Sequence, residues 1–217
     1  LAGHENEWEE LREPSADSWV ADIRKVYCEV LAQTQDPTIY VVGYSLGALA
    51  LARFMQRYDG HAVQKAVFIA PAFAIQERLA ITSWPFLWLR HLGLWLPSFT
   101  PKPYRVRGIT SVQSYYATFD LQRQFEQDWQ RGTALHRVPS LIVVRSGDEL
   151  IDTDQVLKLA AIVPEQRWRS LIFPSSEQAL PQHLMLDEES LGKASWEALV
   201  NEIQAFLVAS SDSAIER

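Results

Sequence analysis

The stretch TIYVVGYSLGALALARFMQRY, residues 38–58, decides how this chain is read. Its first five residues are all β-branched or aromatic and show no apolar–polar alternation, as in a short strand covered on both faces. Residues 46–58 read as a helix, and between strand and helix stands Gly43-Tyr44-Ser45-Leu46-Gly47, a G-x-S-x-G match. In a chain of this length such a match is roughly a 5–10% event by chance at average Gly and Ser usage. The context therefore matters more than the match. A tight strand-to-helix turn needs small residues on either side of the serine, so that the strand end and the helix start can approach. It also strains the serine backbone and lifts the hydroxyl clear of the sheet, while the helix aims its free N–H groups at the same point. The backbone N–H of Leu46 is then expected to face the oxyanion formed when Ser45 attacks a carbonyl. The competing reading is a glycine-flanked turn whose serine only caps the helix.

Working outward, residues 15–33 place Trp19, Ile23, Val26, Tyr27, Val30 and Leu31 at helical spacing on one buried face, with Ser15 or Asp17 as cap. Asp36 and Pro37 end that pattern. Non-alternating apolar runs return at 66–70 (AVFIA), 141–144 (LIVV) and 170–173 (SLIF), with further helical stretches at 153–163 and 191–207. In the last of these Trp196, Leu199, Val200, Ile203, Phe206 and Leu207 share a face that should pack flat on a sheet. Strand and helix alternate, which predicts an α/β protein with a parallel sheet flanked by helices. Residues 73–139 break the alternation. They show no strand signal and are far too long for an ordinary connection, so an inserted, mainly helical cap is expected there. Within it, residues 84–96 hold nine large apolar residues out of thirteen. Residues 112–129 form an amphipathic segment carrying Tyr115, Tyr116, Phe119, Phe125 and Trp129. The expected organisation is thus core at 1–72 and 140–209, cap at 73–139 and a frayed tail at 210–217.

Composition removes several function classes. The 217 residues are 47% hydrophobic and 22% charged, an ordinary globular mix large enough for a sizeable core, which argues against disorder. A formal net charge of −7 disfavours a grip on a phosphate backbone, so nucleic acid is not an expected partner. The single cysteine, Cys28, cannot form an internal disulfide, and the fold must stand on packing. No run reaches the ~20 apolar residues that span a bilayer. The nearest, 84–96, is broken by Pro85, Arg90, His91 and Gly93. The opening residues lack the order of a signal peptide, and a cytoplasmic address is the expectation.

An activated serine needs a base within hydrogen-bond reach and a group that orients the base. Of five histidines, His4 lies in an early loop, His61 in a turn after a helix, His91 in the cap and His136 just before a strand. Only His183 falls in a loop between the last strand and the last helix, where the chain returns to the sheet's C-terminal edge. For the acid, Asp148 follows LIVVRSG and lies nearest a strand end, with Glu149, Asp152 and Asp154 as competitors whose bland role would be capping the next helix.

With these pieces in place the sequence resembles the α/β-hydrolase superfamily, more narrowly its monoacylglycerol lipase, small carboxylesterase and serine aminopeptidase-like branch. The carrying segments are LAGHE at 1–5, GYSLG at 43–47, RSGDELID at 145–152 and QHLMLDEE at 182–189. The resemblance implies Ser45, Asp148 and His183 as the catalytic triad, with no metal or organic cofactor. Members of that family carry several strands before the one that ends at the serine, together with a His-Gly type loop that donates a second oxyanion N–H. Here 44 residues precede Ser45 and show no convincing strand before Thr38. The expectation is that the N-terminal strands are missing and that the chain begins inside a longer hydrolase.

The expected activity is hydrolysis of carboxylic esters of lipase or esterase type through an acyl-enzyme, with a small-molecule ester or acyl substrate. Tyr44, Trp84, Phe86 and Trp88 are expected to contact that substrate, the tryptophans and phenylalanine lining an acyl pocket in the cap. Simple packing of the cap is the alternative for each of them. Another reading lays the same segment on a lipid surface with Arg90, Lys102, Arg105 and Arg107 near headgroups, against which stands a solvated basic face. Peptidase, thioesterase and acyltransferase chemistry would use the same residues. A non-catalytic binding protein on this scaffold is the alternative from a different class.

Overall fold

The computed structural model describes residues 14–33, 38–58, 60–79, 92–97, 102–104, 108–176 and 181–209. Four strands, β1 (Ile39–Tyr44), β2 (Val63–Ile69), β5 (Ser140–Arg145) and β6 (Trp168–Phe173), form one sheet in the order β1-β2-β5-β6. All three pairings are parallel, with Tyr44 opposite Ile69, Ile69 opposite Val143 and Arg145 opposite Phe173. All four strands therefore end at the same edge, and the loops that leave them gather there. The expectation of an α/β fold with a parallel, helix-flanked sheet holds.

The apolar runs of β2 and β5 do not alternate because both faces of the sheet are covered there, whereas β1 and β6, expected to be covered likewise, leave Tyr40, Val42 and Ile172 exposed because they lie at the ends of the sheet. One face, with Phe68, Ile142 and Val144, joins a core made by α1 (Ala16–Gln33), α2 (Leu46–Tyr58), α3 (Val112–Trp129) and α4 (Thr153–Ala160). Its centre is aromatic: Phe73 stacks on Phe125 at 4.6 Å, and Trp129 meets Trp168 edge-on at 5.1 Å. The opposite face, with Val67, Ile69, Leu141 and Val143, is covered by Met185, Leu191 of α5 (Glu188–Leu191) and Leu199 and Phe206 of α6 (Lys193–Val208).

One charged group is deliberately enclosed by this second layer. Lys65 is 5% exposed, and its ammonium donates to the carbonyls of Phe206 (2.7 Å), Leu207 (3.1 Å) and Ala209 at the end of α6. A cation suits the negative end of a helix, and those carbonyls have no partner within the helix itself. Burial pulls the Lys65 pKa down from its ordinary value.

Three further details depart from the sequence reading. Val26 and Val30 of α1 are 57% and 41% exposed, because α1 packs through Trp19, Val20, Ile23 and Tyr27 and leaves the flank of its apolar stripe uncovered. The last helix starts at Lys193 rather than 191, since Gly192 takes φ 84° and separates α5 from α6. Inside the segment where no strand was expected, β3 (Trp95–Pro97) and β4 (Ile109–Ser111) form a small antiparallel pair. The pair is three residues long, too short for a periodic signal. It leads directly into α3, which is N-capped by Ser111 and packs on α2 through Leu121, Phe125 and Trp129.

Candidate active site

Ser45 sits between the end of β1 and the first residue of α2, with φ 51°. That left-handed conformation costs a non-glycine residue of the order of 1–3 kcal/mol, and it persists only where neighbours hold it. Here the Ser45 N–H donates to Ile69 O (2.9 Å), while its carbonyl accepts from Leu49 N (3.2 Å) and Ala72 N (3.2 Å). Gly43 is required by close approach: a Cβ there would lie 2.6 Å from Ala48 Cα. Gly47 is different. A Cβ on it would meet no atom of the described residues within 4 Å, so among them close approach requires a glycine on the strand side of the turn alone.

Asp148 lies in the turn that leaves β5, two residues after Ser146 and one after Gly147, whose φ is 76°. Its carboxylate is fixed by two backbone donors, Leu150 N (2.8 Å) and Ile151 N (2.9 Å), both on Oδ1. The other oxygen, Oδ2, is 2.9 Å from Nδ1 of His183. His183 arrives on the loop after β6, and its Nε2 is 2.8 Å from Ser45 Oγ. Asp148 and His183 are 3% and 6% exposed, so the contact between them is shielded from water, while the contact to the half-buried Ser45 lies nearer the surface. An ionised carboxylate only accepts, which assigns the ring proton to Nδ1 and leaves Nε2 with a lone pair aimed at the serine hydroxyl. Three side chains that lie 138 and 35 residues apart in the chain thus form one continuous hydrogen-bonded row. Such a row can draw the proton from Ser45 as its oxygen attacks an electrophile, then return it to a leaving group.

The competing carboxylates take other positions. Asp152 caps α4 by accepting from Gln155 N at 3.0 Å, and Asp154 stands in the first turn of that helix. Glu149 touches His183 at its main chain rather than its ring: Oε2 accepts the His183 N–H at 3.2 Å. Of the other histidines, His61 meets Tyr27 edge-on and His136 packs edge-on against Trp129 at 4.2 Å. His4 and His91 lie outside the described residues, as do Trp84, Phe86 and Trp88.

Tyr44 ends β1 immediately before the serine. Its hydroxyl donates to the His183 carbonyl at 2.9 Å, and its ring lies 5.4 Å from the imidazole. Burial, then the nearby Asp148 and Glu149, push its pKa well above the usual phenol value, so the hydroxyl keeps its proton and stays a donor. Leu46 opens α2, where a backbone N–H has no carbonyl one turn behind to bond. The links from Tyr44 and Glu149 to the main chain of His183 had no signal in the sequence, since each depends on how the turns after β1, β5 and β6 meet. Among the described residues no group of three or more His, Cys, Asp or Glu side chains could hold a metal ion. No helix among them is long and apolar enough to cross a membrane.

Residues 3–117, which include the turn at Ser45, match the family model described as serine aminopeptidase, S33. None of the curated proteins matches the chain in sequence. Among solved structures, the monoacylglycerol lipase of Paleococcus ferrophilus superposes with a TM-score of 0.66 at 15% identity, over 89% of this chain and 77% of that one. A soluble variant of monoglyceride lipase from Saccharomyces cerevisiae, in complex with a substrate analogue, gives 0.65 at 10% identity over 90% and 73%. The metagenome-derived lipolytic enzymes LipS and LipT are represented at 0.66 and 16% identity, over 95% and 79%. At these identities the likeness is one of fold, and the fold is that of the α/β-hydrolases.

Proposed function

We propose that this chain, which belongs to the hydrolase family described as serine aminopeptidase, S33, cleaves carboxylic esters with Ser45 as nucleophile. The observation that carries the reading is the row Ser45 Oγ, His183 Nε2, His183 Nδ1, Asp148 Oδ2, with contacts of 2.8 and 2.9 Å around a serine of positive φ. Ser45 Oγ attacks the ester carbonyl as His183 Nε2 takes its proton. Asp148 holds the imidazole in the reacting tautomer and stabilises the imidazolium. The N–H of Leu46, at the positive end of α2, donates to the oxyanion of the tetrahedral intermediate. That intermediate collapses as His183 gives its proton to the departing alcohol oxygen, leaving an acyl group on Ser45. Water, deprotonated by the same imidazole, then attacks the acyl-enzyme, and the second intermediate expels Ser45 as His183 returns its proton.

Esters are preferred over amides in this reading because the structural neighbours named above are lipases. The family's own description names an aminopeptidase, so amide substrates form the second reading. A fluorophosphonate probe should label the protein, and Ser45→Ala should abolish labelling. With p-nitrophenyl esters, Ser45→Ala and His183→Ala should each lower kcat by at least about a thousandfold, as for other members of a cooperating triad. A protein that cleaves aminoacyl p-nitroanilides faster than any p-nitrophenyl ester would replace the ester reading with the peptidase one. Absence of Ser45-dependent labelling would remove both.

A further inference from the structure

His183 has its main chain gripped from both sides. Its N–H donates to Oε2 of Glu149 at 3.2 Å, and its carbonyl accepts the hydroxyl of Tyr44 at 2.9 Å. These two partners are the residues immediately adjacent in sequence to Asp148 and to Ser45, which bind the two nitrogens of the ring. Each turn thus supplies one contact to the imidazole and one to the peptide that carries it. The described parts of the loop, 174–176 and 181–187, hold neither strand nor helix, and Gln182 ties them together: its side-chain amide accepts from Ser176 N and donates to Ser176 O, both at 2.8 Å. A loop with so little repetitive structure does not fix a side chain to a few tenths of an ångström unless its backbone groups are tied elsewhere.

We infer that Tyr44 and Glu149 are positioning residues that clamp the His183 peptide and so preset its imidazole between Ser45 and Asp148. The inference rests on the catalytic reading of Ser45 and His183 proposed above. Tyr44 suits the task because its hydroxyl remains protonated and points at a carbonyl, which can only accept. Glu149 suits it because a carboxylate oxygen is a strong acceptor for an N–H. Glu149 acts here as a hydrogen-bond acceptor, and a neutral amide oxygen in the same place would serve. That separates the clamp from an electrostatic role, in which the negative charge of Glu149 would support the imidazolium directly.

The experiment compares Tyr44→Phe, Glu149→Gln and Glu149→Ala with the parent protein, using p-nitrophenyl ester kinetics and the rate of fluorophosphonate labelling. Tyr44→Phe keeps the ring beside the imidazole and deletes only the donor. It should lower kcat about tenfold, the order expected for one lost hydrogen bond, with KM changed less than about twofold. Glu149→Ala should lower kcat to a similar extent and speed hydrogen exchange at the His183 amide. Glu149→Gln should recover most of the lost rate at the same KM. Equal losses in Glu149→Gln and Glu149→Ala would overturn the clamp in favour of a charge effect. Parent-like kcat in Tyr44→Phe and Glu149→Ala would overturn it outright, as would losses confined to KM. If the parent protein is not labelled at Ser45, the catalytic reading fails first. If labelling is intact and depends on Ser45, any failure belongs to the clamp alone.

Discussion

At the scale of the residue, the turn at Ser45 shows how unequal two similar glycines can be. Gly43→Ala would drive its new methyl to 2.6 Å from Ala48 Cα, so β1 and α2 must separate or Ser45 must leave its strained conformation. The expected result is destabilisation by about 2 kcal/mol or more, together with loss of labelling at Ser45, read by denaturant unfolding and probe reactivity. Gly47→Ala places its methyl where no atom of the described residues lies within 4 Å, on a helix, where alanine is favoured by about 0.8–1 kcal/mol. Its melting temperature should be unchanged or higher. Nothing in the motif tells these glycines apart, because it flanks the serine symmetrically while the packing does not. Much else at this scale was legible. That Ser45, His183 and a carboxylate of the turn after β5 would meet was legible because each follows a strand end, and a parallel sheet brings strand ends to one edge. The distinction between Asp148 and Glu149 needed coordinates. Adjacent carboxylates in one turn differ only in which way they face, and here one meets the ring of His183 and the other its backbone N–H.

At the scale of the element, long amphipathic helices and doubly covered strands were the easiest to read. Helices α2 and α3 run over 46–58 and 112–129 as their spacing indicates, α3 burying one apolar stripe and α2 buried all round over residues 48–52. The short β3–β4 pair escaped notice because three residues cannot establish a period, and the break at Gly192 hid inside an otherwise helical pattern. The last helix offers a test of what holds an element to the sheet. Lys65→Met keeps the length of the stem but removes the donor shared by the carbonyls of Phe206, Leu207 and Ala209. Acceptors left without a partner in a buried place cost about 1–3 kcal/mol. We expect Lys65→Met to be less stable by that amount and to show faster amide exchange in the last turn of α6. Because Lys65 lies in β2, away from the site edge, ester hydrolysis by the folded variant should match that of the parent.

At the scale of the whole molecule, the sheet is unevenly covered. The central strands β2 and β5 are buried on both faces, whereas β1 and β6 stand at the two ends of the order, each with one paired neighbour among the described residues. On β1, Tyr40 and Val42 are 48% and 56% exposed, an apolar pair left open in this chain that favours association with other chains. The double variant Tyr40→Lys, Val42→Lys should remain monodisperse to higher concentration than the parent in light scattering. The order of strands also bears on how the molecule is made. Val67 of β2 pairs beside Leu141 of β5, so 74 residues of sequence separate two neighbours in the sheet. At a ribosomal rate of about 5–20 residues per second, β2 waits roughly 4–15 s after its own synthesis before that partner exists. During the wait the nascent chain offers an open, strongly apolar ribbon, and a chaperone that shelters it should raise the yield of native protein more than one added after release.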